Sequence, residues 1–286
     1  MQIRRLGDPA RFLDEAGPLL LTDEARHNLI LGIAGELARD MRVYREHRLW
    51  IAADAADPVA AGLQTPPFNL LVSRAGAPDA LEALADALAS DGVPLPGITA
   101  SVPEVDAFAG AWESRVAVVR RQRMRQLIYR LTAVRPVDGV PGRPRVATNQ
   151  DRPLLVEWVA AFAEETLGRA PLRGPEETVD ARLGDDGGGF VLWEDGQPVS
   201  LVGYGGRTPN GVRIGPVYTP PDRRGRGYAS ALTAAVSAEQ LARGRRFCFL
   251  YTDAHNPTAN HVYSAIGYER VCESVDYAFE PAARRP

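Results

Sequence analysis

Residues 217–230 read VYTPPDRRGRGYAS. An apolar strand end is followed by two prolines, by two glycines at positions 225 and 227, and by the start of an alanine-rich helix. That order points unused backbone N–H groups at one spot, at the positive end of a helix dipole. Glycine lets a ligand approach the backbone closely, and the arginines Arg223, Arg224 and Arg226 carry charge suited to phosphate. The segment therefore predicts a phosphate-binding loop.

Two better-known phosphate loops do not fit this segment. It lacks the Gly-Lys-Ser/Thr of a Walker loop, and the Gly-x-Gly-x-x-Gly dinucleotide pattern fails at Ser230. A glycine-capped turn with solvated arginines remains an alternative for this segment considered alone.

A second motif, NPTANHVYSAIGY, covers residues 256–268. Asn256 is a good helix N-cap, and Pro257 suits the first helical position. The spacing i, i+4, i+7 places Asn256, Asn260 and Tyr263 on one face of the helix. Capping alone for Asn256 and packing alone for Tyr263 are the simpler alternatives. The order of strand, phosphate loop, helix, strand and polar-faced helix favours a clamp for a long cofactor between two parallel strands.

Regular elements are predicted along both halves of the chain. In the second half we expect helices over 151–167, 229–242 and 257–266, and strands over 189–194, 198–205, 212–218, 246–252 and 271–279. In the first half we expect helices over 22–41, 78–89 and 102–114, and strands over 49–53, 58–64, 69–73, 98–100 and 124–134.

The proline- and glycine-rich segment PVDGVPGRP, residues 136–144, separates the two halves. We therefore expect an N-terminal α/β domain over 1–135 and a second domain over 145–286. Because both halves show the same order of elements, an internal structural repeat is a further hypothesis, although the residues themselves do not repeat visibly.

The two motifs together resemble the Gcn5-related N-acetyltransferases (GNAT). The family's pyrophosphate motif, Gln/Arg-x-x-Gly-x-Gly/Ala, corresponds to Arg224-x-x-Gly227-x-Ala229, and the second motif is similar to the closing motif of the FR47-like branch. The resemblance covers about residues 145–280. It implies an α/β fold with a mixed α+β sheet, the GNAT fold, in the second half. The first half would be a degenerate GNAT-like domain, which would make the chain a tandem repeat.

The resemblance also implies which residues hold acetyl-coenzyme A as co-substrate. Loop amides would bind the pyrophosphate, and the preceding strand would bind the pantetheine arm. The residues assigned to the cofactor on this basis are Val217, Tyr218, Thr219, Arg224, Gly225, Arg226, Gly227, Tyr228, Ala229, Ser230, Asn256 and Asn260.

For the chemistry, the resemblance implies direct attack of a neutral amine on the thioester. The developing oxyanion needs a preorganised donor, which a backbone N–H near the end of the 212–218 strand would supply. Pro216 lacks an N–H, so a bulge is expected there. Tyr263 matches the position of the general acid, and a phenol is protonated at neutral pH. Candidate bases are Glu164, Glu165, Asp253 and His255, among which the sequence does not choose.

The overall composition of the chain argues against several classes of protein. A formal net charge of -3 gives no reason to expect a nucleic-acid partner, and no apolar run is long enough to span a bilayer. The histidines and the cysteines Cys248 and Cys272 lack metal-ligand spacing, so no metal is expected. The cysteine content and the absence of a leader-like start suit the cytoplasm.

The predicted function is acetyl transfer from acetyl-coenzyme A to a small-molecule or peptide amine. Two alternatives stay open: a non-catalytic acyl-coenzyme A sensor, and an enzyme using a longer acyl group, as in glycine acyltransferase-like proteins. The first half would cover the active cleft or form the surface of a homodimer. The sequence leaves the acceptor, the base, the acyl length and the oligomeric state undefined.

Overall fold

The computed structural model describes residues 1–167, 174–184 and 188–282. The chain divides into two compact units, Met1–Ile128 with Val271–Pro286 (unit one) and Tyr129–Arg270 (unit two). Each unit is a mixed α/β structure, as the sequence predicts.

Unit one places helices on both faces of its sheet. Its elements are β1 (Gln2–Leu6), α1 (Pro9–Leu21), α2 (Asn28–Arg39), β2 (Arg48–Asp54), β3 (Asp57–Gln64), β4 (Leu70–Val72), α3 (Ala80–Ser90), β5 (Gly97–Ser101), α4 (Glu104–Glu113) and β6 (Val118–Leu131). Helices α1 and α2 bury Phe12, Leu20 and Leu31 against one face. Helices α3 and α4 bury Leu84 and Phe108 against the other.

Unit two repeats this order of elements. It contains β7 (Arg143–Val146), α5 (Arg152–Leu167), α6 (Pro175–Leu183), β8 (Gly189–Glu194), β9 (Pro198–Gly205), β10 (Gly211–Tyr218), α7 (Tyr228–Ala242), β11 (Phe247–Asp253) and α8 (Pro257–Ile266). The chain then continues into β12 (Glu269–Pro281), most of which belongs to unit one. In both halves of the sequence a strand and two helices precede three strands, a helix, a strand, a helix and a long strand. The repeat expected from the sequence is confirmed at the level of element order.

The core of unit two lies mainly under α5. Leu155, Trp158 and Val159 pack against the inner residues of β8 and β9, such as Phe190 and Leu201. On the opposite face, α7 packs over β9, β10 and β11. Strands β8, β9 and β10 are therefore covered on both sides.

The last strand does not stay with the unit that precedes it. From Val271 onward the chain belongs to unit one, where Ser274–Ala278 pairs antiparallel with Gly97–Ser101 of β5. The sequence places a boundary at 136–144 and keeps 145–286 together. The domain assignment stays a prediction, and the structure adds that strand pairing carries the C-terminal segment to unit one.

Candidate active site

The loop between β10 and α7 has the backbone geometry that its glycines predict. Gly225 (φ +76°) and Gly227 (φ +82°) are both left-handed, and Gly227 is the N-cap of α7 without any side-chain cap. Among the described residues, no acceptor takes the backbone N–H groups of residues 225–230; the first helical bond at this end is from Ala231 N to Gly227 O, at 2.9 Å. A row of free donors at a helix N-terminus favours an anion.

The side chain of Arg224 does not extend into this row of donors. Its Nη2 atom contacts Glu165 Oε2 at 2.7 Å, its Nε atom donates to the Thr219 carbonyl at 2.8 Å, and its guanidinium lies 5.9 Å from the centre of the Tyr218 ring. Arg224 therefore fastens the loop to α5. Glu165, one of the candidate bases, is already paired with this arginine.

Other loop residues are placed by neighbouring strands. The Tyr228 hydroxyl donates to Asp195 Oδ2 at 2.6 Å, at the turn between β8 and β9. Ser200 Oγ donates to the Tyr218 carbonyl at 3.1 Å and lies 2.8 Å from Thr219 Oγ1. Arg226 and the glycines of the loop are exposed, whereas Ala229 and Ser230 are half-buried. These contacts hold the two ends of the loop and leave its backbone facing outward.

Strands β10 and β11 separate next to this loop. They pair in parallel from Gly211–Arg213 to Phe247–Phe249, yet β10 continues to Tyr218 and β11 to Asp253. The pairing of β10 with β9 is interrupted between Ile214 and Val217, so the bulge expected at Pro216 is confirmed. The gap between the separated ends lies beside backbone groups that are not used in a regular ladder.

Tyr263 lies on α8 with its side chain 9% exposed. Its ring packs edge-on against Tyr268, with centroids 6.0 Å apart, and its hydroxyl makes no hydrogen bond within the described residues. Burial raises the pKa of Tyr263 to about 12. The phenol is therefore fully protonated at neutral pH, and it is also a weaker acid than an exposed tyrosine.

The two asparagines of the second motif have local roles in the structure. Asn256 Oδ1 accepts from Ala259 N at 3.0 Å, which is the predicted N-cap. Asn260 Nδ2 donates to the Asp253 carbonyl at 3.3 Å and so ties α8 to the end of β11. The Oδ1 atom of Asn260 is buried without a partner in the described part of the chain, which leaves an acceptor for a ligand donor.

The remaining candidate bases and nucleophiles are not brought together. Asp253 accepts from the backbone N of His255 at 2.8 Å, and the His255 ring is largely exposed. Cys248 and Cys272 are both buried and form no disulfide, and burial raises the pKa of Cys248 to about 12. A thiol that resists ionisation is a poor nucleophile. Cys248 is therefore not suited to covalent catalysis.

No group of three or more His, Cys, Asp or Glu side chains that could hold a metal ion occurs in the described residues. No described helix is long and apolar enough to cross a membrane.

Residues 155–268 match the family described as the acetyltransferase (GNAT) family. This region belongs to that family. It runs from α5 to the end of α8 and contains both motifs. The predicted FR47-like branch stays a prediction.

Two curated relatives are named mycothiol acetyltransferase. The protein from Actinosynnema mirum is 32% identical over 141 residues, a match that covers 48% of this chain and 45% of that protein. The protein from Kytococcus sedentarius is 28% identical over 144 residues, covering 49% of each. The chain therefore spans about half the length of the curated relatives that it matches.

Solved structures resemble the whole chain in fold. A GCN5-related N-acetyltransferase from Sphaerobacter thermophilus shares 18% identity at a TM-score of 0.65, covering 98% of this chain and 97% of that one. A tandem GNAT protein from the clavulanic acid biosynthesis pathway shares 13% identity at a TM-score of 0.56, covering 100% of both. The predicted GNAT fold and its tandem arrangement are confirmed.

Sequence reasoning did not single out Arg182. It lies on α6, a helix that was not predicted, and its Nη1 atom donates to the Gly215 carbonyl in the β10 bulge. The glycine-rich composition of β9 was a signal for a close approach of this kind, since Gly203 and Gly205 leave room above the strand.

Proposed function

We propose that unit two binds acetyl-coenzyme A and transfers its acetyl group to an amine by direct attack. The observation that carries this proposal is the row of unbonded N–H groups at residues 225–230, at the start of α7 and beside the gap between β10 and β11. A diphosphate satisfies such donors, and a parallel gap next to them accepts an extended arm. The names of the curated relatives support acetyl transfer in general.

Each residue of the proposed site has a distinct task. The amides of residues 225–230 bind the diphosphate, and the backbone of Val217–Thr219 aligns the pantetheine arm. A backbone N–H at the β10 bulge receives the negative charge that develops on the thioester oxygen. Tyr263 donates a proton to the departing sulfur, and Asn260 Oδ1 accepts from the cofactor arm.

The acceptor is proposed as a small-molecule or peptide amine in a soluble, cytoplasmic setting. It attacks as the neutral amine, so a base must remove a proton from the ammonium form first. Since Glu165 is paired with Arg224, Glu164, Asp253 and His255 remain the candidates, acting directly or through water.

The binding step is tested by calorimetry with coenzyme A. In Gly225→Ala we expect affinity to fall about tenfold, because alanine strains a left-handed position and turns the donors away. Gly244→Ala is the matched control. Gly244 has φ +89° and, like Gly225, open space where a Cβ would lie, but it follows the other end of α7. Equal affinity in wild type and Gly225→Ala would contradict the proposed loop.

The transfer step is tested with an amine panel, following release of the coenzyme A thiol. Both cysteines of the chain are buried, so a thiol reagent reports the released product with little background. The chain contains no lysine, so self-acetylation is confined to the N-terminal amine. Tight binding without turnover on any amine would favour the sensor alternative. Faster turnover with longer acyl donors would favour the glycine acyltransferase-like alternative.

A further inference from the structure

Arg182 reaches from α6 onto the sheet at the point where β10 is interrupted. Its Nη1 atom donates to the Gly215 carbonyl oxygen at 2.5 Å. Its guanidinium carbon lies 5.4 Å from the centre of the Phe190 ring on β8. A cation is therefore held against the sheet, next to the bulge between Ile214 and Val217.

The neighbouring strand leaves room for this guanidinium. A Cβ on Gly203 would lie 2.4 Å from Arg182 Nη1, 2.9 Å from Pro216 Cδ and 3.0 Å from the Gly215 oxygen. A Cβ on Gly205 would come no closer to Arg182 than 3.8 Å, which is ordinary contact. Arg182 can thus occupy its place only because residue 203 has no side chain.

The Gly215–Val217 segment needs such an outside contact. Gly215 has φ +138°, a conformation that glycine reaches but does not hold by itself, and Pro216 has no N–H to anchor it to a neighbouring strand. The carbonyl of Gly215 is the group through which this peptide can be fixed. Arg182 supplies the donor, with a positive charge in addition.

We propose that Arg182 is a positioning residue for acetyl transfer: it fixes the β10 bulge and keeps a positive charge beside the donor for the oxyanion. This inference rests on the function proposed above. A donor that is already oriented needs no reorganisation when charge develops, and misplacement by about 1 Å can cost about 100-fold in rate.

A second arginine, Arg152, allows a test of whether Arg182 positions the bulge or only stabilises helix α6. Arg152 on α5 binds Asp180 on α6 through both carboxylate oxygens, at 2.6 and 2.8 Å. Asp180 lies two residues before Arg182 on the same helix. Arg152→Met therefore loosens α6 while leaving in place the side chain of Arg182 that contacts Gly215, and it serves as the matched control.

The first experiment compares Arg182→Met, Arg182→Gln, Arg182→Lys and Arg152→Met in wild-type background. We expect Arg182→Met to lower kcat by about 10- to 100-fold, with coenzyme A affinity within about threefold of wild type. Arg182→Gln keeps a donor and Arg182→Lys keeps the charge, so each should restore part of kcat. Arg152→Met should lower Tm with kcat retained. Unchanged kcat in Arg182→Met, or an equal loss in Arg152→Met, would overturn the inference.

The second experiment approaches the same contact from β9. Gly203→Ala should reproduce the kcat defect, whereas Gly205→Ala should not. The double variant Gly203→Ala with Arg182→Met should be no worse than Gly203→Ala alone, because the added Cβ already displaces the Arg182 guanidinium and also crowds Pro216. Additive losses in kcat would show that Gly203 acts independently of Arg182 and would contradict the proposed arrangement.

A binding measurement separates failure of this inference from failure of the proposed function. If wild type binds coenzyme A but acetylates no amine, the proposed function fails. Arg182 is then tested with a methyl-ketone analogue of acetyl-coenzyme A, whose carbonyl oxygen occupies the same place. Wild type should bind this analogue more tightly than coenzyme A, and Arg182→Met should lose that preference. If Arg182→Met binds the analogue more tightly than coenzyme A to the same extent as wild type, the inference is wrong.

Discussion

Tyr263 is a buried tyrosine whose hydroxyl makes no hydrogen bond within the described residues. If it is the general acid, Tyr263→Phe should lower kcat by about 100-fold or more, because general-acid catalysis contributes about 10²–10⁴. Coenzyme A affinity should stay within a few-fold, as the ring and its packing on Tyr268 remain. Steady-state kinetics and calorimetry on the same sample test this expectation. An unchanged kcat would remove Tyr263 from the mechanism.

Three buried acids of unit two predict a loss of stability at alkaline pH. Burial raises the pKa of Cys248 and of Tyr263 to about 12, and that of Tyr268 well above its ordinary value. In the unfolded chain these groups ionise near pH 9–10. Between about pH 9 and pH 12 the folded state therefore binds more protons than the unfolded state. Below about pH 9 these groups should give the free energy of unfolding no pH dependence. Above about pH 9 the free energy of unfolding should fall as the pH rises.

Urea unfolding at several alkaline pH values measures this slope. For Tyr263 alone the loss should approach about 2 kcal/mol by pH 12, because each pKa unit corresponds to about 1.4 kcal/mol. Tyr263→Phe should have a shallower slope than wild type. A variant with the same slope would show that the Tyr263 phenol ionises without opposing the fold.

Single residues differ in how far the sequence determines their roles. The cap at Asn256 follows from the local Asn-Pro pattern, whereas the helical spacing placed Tyr263 on the face of Asn256 and Asn260 and did not predict its burial. The pairing of Arg224 with Glu165 joins residues far apart in the chain, and no local sequence pattern predicts it. The contact of Arg182 with Gly215 was not predicted, because these residues are also far apart in the chain.

At the scale of elements, the helices and strands with strong hydrophobic periodicity were predicted well, and those with weak periodicity were missed. Strands β8 and β9 and helix α8 begin and end where the sequence places them. Helix α1 was missed because Pro18 lies inside it, and α6 because it buries only Val179. The strand β7 has the sequence RPRV, whose exposed side chains show no apolar alternation.

The N-cap of α8 gives a prediction at this scale. Asn256→Ala removes the acceptor for the Ala259 N–H, which should lower the free energy of unfolding by about 1 kcal/mol. Asn256→Asp keeps a capping oxygen and should retain most of that stability. Chemical denaturation of the three proteins measures the difference. If Asn256→Ala also weakens coenzyme A binding while Asn256→Asp does not, the cap supports the site through α8.

At the scale of the whole molecule, the two units differ at the position of the phosphate loop. In unit one, Gly76 N donates to the Val59 carbonyl at 2.6 Å, and Asp79 and Glu82 lie at the start of α3. Negative charge at that helix end opposes an anion. We therefore expect one coenzyme A per chain by calorimetry, and no second site in Gly225→Ala. A stoichiometry of two would show that unit one has kept a working loop.

Removal of the C-terminal strand should damage the opposite end of the sequence. Truncation after Tyr268 deletes β12, which pairs with β5 through Ser274–Ala278 and buries Val275 in the core of unit one. We expect residues 1–128 to lose protection from hydrogen exchange. A substitution confined to the exposed start of β12, such as Glu269→Ala, is the control and should leave that protection intact.

This shared strand also has a consequence for how the protein is made. A ribosome delivers residues 1–128 first, yet the strand that lies beside β5 arrives only after residues 129–270 have emerged. Residues 1–128 must therefore wait, with an open strand edge at β5, until residues 271–281 have been synthesised. A nascent chain stalled before residue 271 would present that edge to chaperones, and residues 1–128 would become resistant to protease only once residues 271–281 have left the ribosome.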